Sequence, residues 1–202
     1  MKRSEVVVPE AAPYEDVHSG LHSEQGAYRG EHPGRAANPV IKVVDLAWLE
    51  FEKPDLEQAE RFLVDFGFVV ADRTPAELTL RGAWSNGPCL VIRRGPRSRY
   101  VGHALQAAAR SDLDRLARSA GAQVEDHRGG HAVRLVDPSG YEVRVVSGVP
   151  TLPMLAERAP LTFNFGTTTA RPNVPQRPPR VAAQVQRLGH AALETTRFSA
   201  AL

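Results

Sequence analysis

His131-Ala132-Val133-Arg134-Leu135-Val136-Asp137-Pro138-Ser139-Gly140-Tyr141-Glu142-Val143-Arg144-Val145-Val146 is the stretch that decides the fold. Two runs rich in β-branched residues flank Asp137-Pro138-Ser139-Gly140, which has the composition of a tight turn. The spacing therefore predicts strand, turn, strand. Immediately upstream, Ala122-Gln123-Val124-Glu125 reads as a further short strand. Before it, Asp112-Leu113 opens a helix with Leu113, Leu116, Ala117 and Ala120 on one face, and Gly121 ends it. Tyr100 to Ala108 reads as a strand, so this half of the chain has the order β-α-β-β-β.

The same order stands one unit earlier. Val43 to Phe51 reads as a strand, and Pro54-Asp55-Leu56 opens a helix. Leu56, Ala59, Phe62, Leu63 and Phe66 follow the i, i+3, i+4 rhythm, and Gly67 closes the helix. Strands follow at 68–70, 78–80 and 88–93. A repeat of this kind constrains topology more than any single propensity. The expectation is an α+β fold, with two βαβββ modules forming one domain at 40–148.

The flanks are different. Residues 1–38 hold four Gly, three His and almost no large aliphatics beyond the early valines, which predicts a disordered tail. His18, His22 and His32 lie in it without a Cys or carboxylate pattern, so a solvated tail outweighs a metal reading. Residues 149–184 form a Pro-rich linker without periodicity. At 185–202 the pattern restarts, with the first strand of a further module carrying His190. Phe198 to Leu202 then reads as one helical turn. This predicts the start of a truncated second domain.

Composition excludes several classes of function. The 202 residues are 42% hydrophobic and 24% charged, with a net charge of +2, which suits a globular protein. No Lys/Arg run with interleaved aromatics points to nucleic acid. No stretch approaches the ~20 apolar residues of a membrane span. Val6-Val7-Val8 is too short an apolar run for a signal peptide, so a cytoplasmic location is expected. The lone Cys89 sits in an apolar strand and reads as core. Gly129-Gly130 lacks the strand-turn-helix context of a phosphate cradle, and no Gly-x-Ser-x-Gly nucleophile motif occurs. Arg93-Arg94-Gly95-Pro96-Arg97-Ser98-Arg99 reads as a solvated basic loop.

Paired βαβββ units, an Asp-Leu helix start and an Asp-Pro-x-Gly turn before the last strand resemble the vicinal oxygen chelate superfamily. Its members include glyoxalase I, fosfomycin-resistance proteins, bleomycin-binding proteins and type I extradiol dioxygenases. The resemblance covers residues 41–148 and again 186–202. Its two-domain plan is similar to extradiol dioxygenases of the 2,3-dihydroxybiphenyl kind, in which a metal-free N-terminal domain and a linker precede an Fe(II)-holding domain. Arg187-Leu188-Gly189-His190-Ala191-Ala192-Leu193 looks like the opening of that second domain. By resemblance, His190 matches its first metal ligand. The resemblance thus implies the N-terminal part of a homo-oligomeric ring-cleaving dioxygenase that uses non-haem Fe(II), O2 and a catechol-type substrate. Two His and one carboxylate on one face of the iron would leave positions open for both reactants. The remaining ligands would lie beyond residue 202, so the chain itself is expected to be inactive.

Within 40–148 the same template places Trp48 at the first ligand position and His103 near the second. Arg144 stands where the carboxylate would be, and Glu142 lies two residues earlier on the same strand face. An indole nitrogen has no lone pair to offer, so no catalytic metal is expected here. Two rival readings remain. One is a metal-free binding protein for a small aromatic ligand, of the bleomycin-resistance type, with Trp48 and Phe51 lining a cup. The other is a glyoxalase-type lyase or isomerase using His103 and His131 with Glu142 or Glu125.

Overall fold

The computed structural model describes residues 39–84, 86–159, 162–173 and 181–193. The first module runs β1 (Val43–Lys53), α1 (Leu56–Phe66), β2 (Val69–Arg73), β3 (Glu77–Arg81) and β4 (Leu90–Arg94). The second runs β5 (Arg99–Ala107), α2 (Arg110–Ala120), β6 (Val124–His127), β7 (Gly130–Val136) and β8 (Glu142–Ser147). The repeat is as expected, with boundaries shifted by no more than three residues. Asp55 caps α1, its Oδ1 accepting from the backbone N–H of Glu57 and Gln58, both at 2.9 Å. Ala109 has no side chain to cap α2. There the Asp112 carboxylate reaches back to accept from the Ala109 N–H at 3.1 Å. Left-handed glycines, Gly67 and Gly121, close the two helices.

All eight strands join one sheet in the order β2-β3-β4-β1-β5-β8-β7-β6. The first strand of each module lies parallel to the last strand of the same module, β1 to β4 and β5 to β8. β1 and β5 meet antiparallel at the centre, with Trp48 opposite Ala104, Leu49 opposite His103 and Glu50 opposite Gly102. The modules are therefore related by a local two-fold axis through this seam. The sheet curls enough for the Arg128 guanidinium, in the β6–β7 turn, to pair with Glu77 on β3.

Three apolar clusters follow from the alternation of strand side chains. One, of Leu56, Leu78, Leu80, Cys89, Leu90 and Ile92, lies between α1 and the first module's strands. A second, of Ala107, Leu113, Ala117, Val133 and Val145, lies under α2. The third, of Trp48, Val91, Ala104, Ala132 and Val146, is on the opposite, concave face. Cys89 is fully buried, as expected of a core thiol.

Beyond β8 the described chain holds no helix or named strand. Residues 149–155 lie along the first module: the Leu152 N–H donates to Asn86 and the Leu155 N–H to Ala83. The strand expected at the start of 185–202 is not formed among the described residues. Instead residues 183–188 are an extended strap on the first module. Val185 N–H donates to the Gly67 carbonyl, and the N–H groups of Ala83 and Trp84 donate to Val185 and Gln186. Three such bonds tie the strap to a helix cap and a loop rather than to a ladder, so it is extended without becoming a sheet strand. Leu188 packs against the α1 cluster. Residues 40–192 make one compact unit. The expected tail at 1–38, with its three histidines, and the helical turn at 198–202 lie outside the described residues.

Candidate functional site

The concave face holds the concentration of buried charge. Leu49 and Phe51 of β1 turn toward α1, so the intervening Trp48 and Glu50 point the other way. Both are 1% exposed. Their partners on β5 are small, Ala104 and Gly102. At Gly102 a Cβ would fall 1.9 Å from the Glu142 carbonyl oxygen, so no larger residue fits. The low middle strand lets Arg144 on β8 reach across β5 to β1, two strand spacings of about 4.8 Å each. Its Nη1 stands 2.6 Å from Glu50 Oε1.

From this pair the charges extend in both directions. Arg144 Nη2 donates to Glu142 Oε2 at 2.7 Å, and Arg134 Nη2 to Glu142 Oε1 at 2.8 Å. On the first module's side, Arg93 pairs with Glu50 Oε2 at 3.2 Å and with Glu77 at 3.4 Å. Arg128 also pairs with Glu77, across the curl of the sheet. Trp48 Nε1 donates to Glu50 Oε1 at 3.0 Å. The indole is stacked by His127, with centroids 5.9 Å apart, and the Arg128 guanidinium carbon lies 5.8 Å from the indole ring centre. Four arginines thus meet three glutamates around one tryptophan.

The electrostatics follow from these contacts. Burial pushes the Glu50 carboxyl up, but the Trp48 hydrogen bond and the Arg144 and Arg93 guanidiniums outweigh it and hold the group below its ordinary value. His127 is held below its ordinary value by burial first, then by Arg144 and Arg128. Burial similarly lowers His103. At neutral pH Glu50 is therefore ionised among its arginine partners, and the His127 imidazole beside it is neutral.

The candidate residues separate by face. Trp48, Glu142 and Arg144 come together on the concave side. His103 sits opposite Leu49 on the helix-bearing side, where its Nδ1 is 2.8 Å from the Tyr100 hydroxyl. Phe51 also lies on that side, edge-on to Tyr100, so it does not share a cup with Trp48. His131 pairs with Asp126 at 3.1 Å, and Glu125 is exposed. His190 is exposed in the extended segment. Of the basic run at 93–99, only 95–98 is a loop, exposed at 96–98. Arg93 and Arg94 belong to β4, and Arg99 donates twice to Glu52. Glu50, Glu77, His127 and Arg128 carried no motif. Their only signal was the period-two placement of Glu50 beside Trp48.

No family model matches the sequence, and no curated protein matches it. Solved structures do match. A Mn(II)-bound glyoxalase from Novosphingobium aromaticivorans superposes with a TM-score of 0.52 at 21% identity, over 59% of this chain and 43% of that one. A single-residue variant of homoprotocatechuate 2,3-dioxygenase from B. fuscum gives 0.52 at 22% identity, over 62% and 38%. Homoprotocatechuate 2,3-dioxygenase from Arthrobacter globiformis gives 0.51 at 21%, over 61% and 41%. This is the vicinal oxygen chelate fold. The chain spans less than half the length of each of these structures.

A metal is the usual occupant implied by a vicinal oxygen chelate fold, and the concave residues do not fit one. Among the described residues no group of three His, Cys, Asp or Glu side chains is placed to hold a metal ion. The buried Arg144 lies among the concave residues, and both neighbouring carboxylates, Glu50 and Glu142, are already paired with it. A divalent cation there would face a buried guanidinium at short range. No helix among the described residues is long and apolar enough to cross a membrane.

Proposed function

We propose that residues 40–148 are the metal-free domain of a protein of the extradiol dioxygenase kind. In this reading Fe(II), O2 and a catechol-type substrate are handled by a further domain, in a cytoplasmic homo-oligomer. One observation supports the reading: the buried Arg144–Glu50 pair lies on the concave face, where the resemblance would put a metal. A domain that keeps the fold while replacing the ligand set by a buried ion pair is suited to supporting a neighbour. The dioxygenases above, more than twice the span matched here, agree with a second unit. His190, exposed in Leu188-Gly189-His190-Ala191, is then one iron ligand of that unit, unable to form a site alone.

The test is ring cleavage measured by absorbance with homoprotocatechuate and added Fe(II) under air. The 202-residue chain should be inactive. The same chain continued through whatever coding sequence follows Leu202 should be active, and His190→Ala in that longer protein should abolish turnover while leaving the fold intact. Ring cleavage by the 202-residue chain, or stoichiometric iron retained by it after desalting, would overturn the reading.

A further inference from the structure

Helix α1 keeps part of its apolar stripe in water. Spacing alone puts Phe62 and Phe66 with Leu56, Ala59 and Leu63 against the core. In the structure Phe62 is 66% exposed and Phe66 59%. Their rings stack with centroids 6.3 Å apart, and Phe66 stacks in turn on Phe68 at 5.9 Å. The helix around this aromatic ladder is acidic, with Glu57, Glu60 and Asp65 against Arg61. Glu60 is held by Arg73, whereas Asp65, next to Phe66, is exposed and enters no ion pair among the described residues.

A second exposed apolar feature is rooted beside the ladder. Residues 158–182 leave and rejoin the domain through one neck, where the Arg158 N–H donates to Gln184 Oε1 at 3.1 Å and Gln184 Nε2 to the Ala156 carbonyl at 2.9 Å. The returning leg lies on the C-terminal cap of α1, the Val185 N–H donating to the Gly67 carbonyl. Within this arm Phe165 and Thr168 exchange backbone bonds of 3.2 and 3.0 Å around Gly166, whose φ is +57°. Asn164 Oδ1 accepts from the Arg171 N–H at 2.9 Å and closes the hairpin. Phe163 and Phe165 gain no cover from it and are 65% and 88% exposed. The sequence of 158–182 contains four arginines and no acid.

We propose that a second copy of this chain covers both surfaces by arm exchange. The Phe163–Phe165 hairpin of each copy lies on the Phe62–Phe66–Phe68 ladder of the other, with Arg171 facing Asp65 at the rim. Three observations select this occupant. The two surfaces are both aromatic and carry opposite charge. Neither is covered within its own chain, although Phe165, seven residues from the neck, can reach about 23 Å. The area also suffices. At about 200 Å² per phenylalanine the exposed parts of these four rings come to roughly 550 Å². A reciprocal exchange counts this twice, about 1,100 Å², which reaches the ~1,000 Å² of a specific interface. Because the exchange is two-fold it closes as a dimer rather than growing as a fibre. It supplies an interface for the homo-oligomer of the reading above, yet rests on these surfaces alone and not on ring cleavage.

The experiment is sedimentation velocity on the 202-residue chain from micromolar to hundreds of micromolar. A dimer is expected at tens of micromolar. Phe165→Ser and Phe62→Ser should each weaken it at least about a hundredfold, because each change counts twice in a symmetric dimer. Both side chains are exposed, so circular dichroism of the two variants should match that of the parent. Mixing the two variants should return a heterodimer, since one intact arm still meets one intact ladder. A chain that stays monomeric at hundreds of micromolar overturns the proposal while leaving the ring-cleavage test standing. A dimer that survives either substitution overturns the exchange, and so does a mixture of the two variants that stays monomeric.

Discussion

The two modules repeat one backbone, yet they contribute to the concave face in opposite ways. The first module's opening strand brings bulk, Trp48 and Glu50; the second module's opening strand brings Gly102 and Ala104. The closing strands invert this at the site: β8 supplies the long Arg144, while β4 puts Val91 beside Glu50. A two-fold arrangement with equal side chains would either clash at the seam or leave a void. Unequal ones let a single arginine span it. The symmetry belongs to the backbone, and the site comes from breaking it.

The strongest way to break the comparison is to remove one side of the spanning pair. Glu50→Leu or Arg144→Met alone should cost about 3–5 kcal/mol, because each strands a buried charge. The double variant should recover most of that loss. Removing the exposed Arg110–Asp114 pair of α2 should cost less than about 1 kcal/mol. Urea unfolding of the four proteins checks this. A double variant as unstable as the singles would show that Arg93 and Glu142, not the pair, dominate the network.

The helix caps give the next contrast. Gly67 and Gly121 both have positive φ, at +108° and +64°. A Cβ on Gly121 meets nothing within 4 Å, whereas one on Gly67 would lie 2.7 Å from the Ala183 backbone of the strap. Gly121→Ala should therefore cost only the left-handed strain, about 1–2 kcal/mol. Gly67→Ala should cost more and should also expose residues 183–188 to proteolysis. Equal losses and an unchanged cleavage pattern would mean that the strap yields freely.

At the other helix ends the asymmetry can be removed rather than broken. Asp55→Ala should cost about 1 kcal/mol, and Ala109→Ser, at an exposed site with extended backbone, should gain a similar amount. Thermal unfolding of both variants would measure the two caps on one scale.

The most gradual effect is with pH. His103 and His127 are both held below the ordinary histidine value. As pH falls below about 6.5, the unfolded chain binds these protons more readily than the folded one, so stability falls. It falls again in the carboxylate range, where protonation of Glu50 removes the charge that Arg144 faces. His127→Phe should flatten the first decline, and a slope that stays the same would exclude His127 from it.

What was legible in the sequence was whatever repeats locally. The helices announced themselves by apolar spacing and by Gly67 and Gly121, and the 137–140 turn by its composition. That Trp48 and Arg144 are residue types unable to ligate a cation could be read position by position. That these residues lie beside Glu50 could not, because the contact depends on the β1–β5–β8 register and on small residues in the strand between. His127 and Arg128 were silent for a related reason: Val124-Glu125-Asp126-His127 is polar and edge-like, and only the curl brings it to Trp48. The strap at 183–188 misled, because an extended segment of alternating apolar and polar residues looks like a strand until its partners are known.

The central seam also sets an order of events in folding. β2–β3, β3–β4, β6–β7 and β7–β8 join strands adjacent in the chain, whereas β1–β4, β1–β5 and β5–β8 close long loops. Loop closure makes such pairings slow. Each module's three-stranded meander can therefore form early and wait, with β1 and β5 arriving last to join the halves. Pulse-labelled hydrogen exchange should find the amides of β7 and β8 protected before those of β1. The Arg144–Glu50 contact then belongs to the final step, so its loss should quicken unfolding far more than it slows refolding.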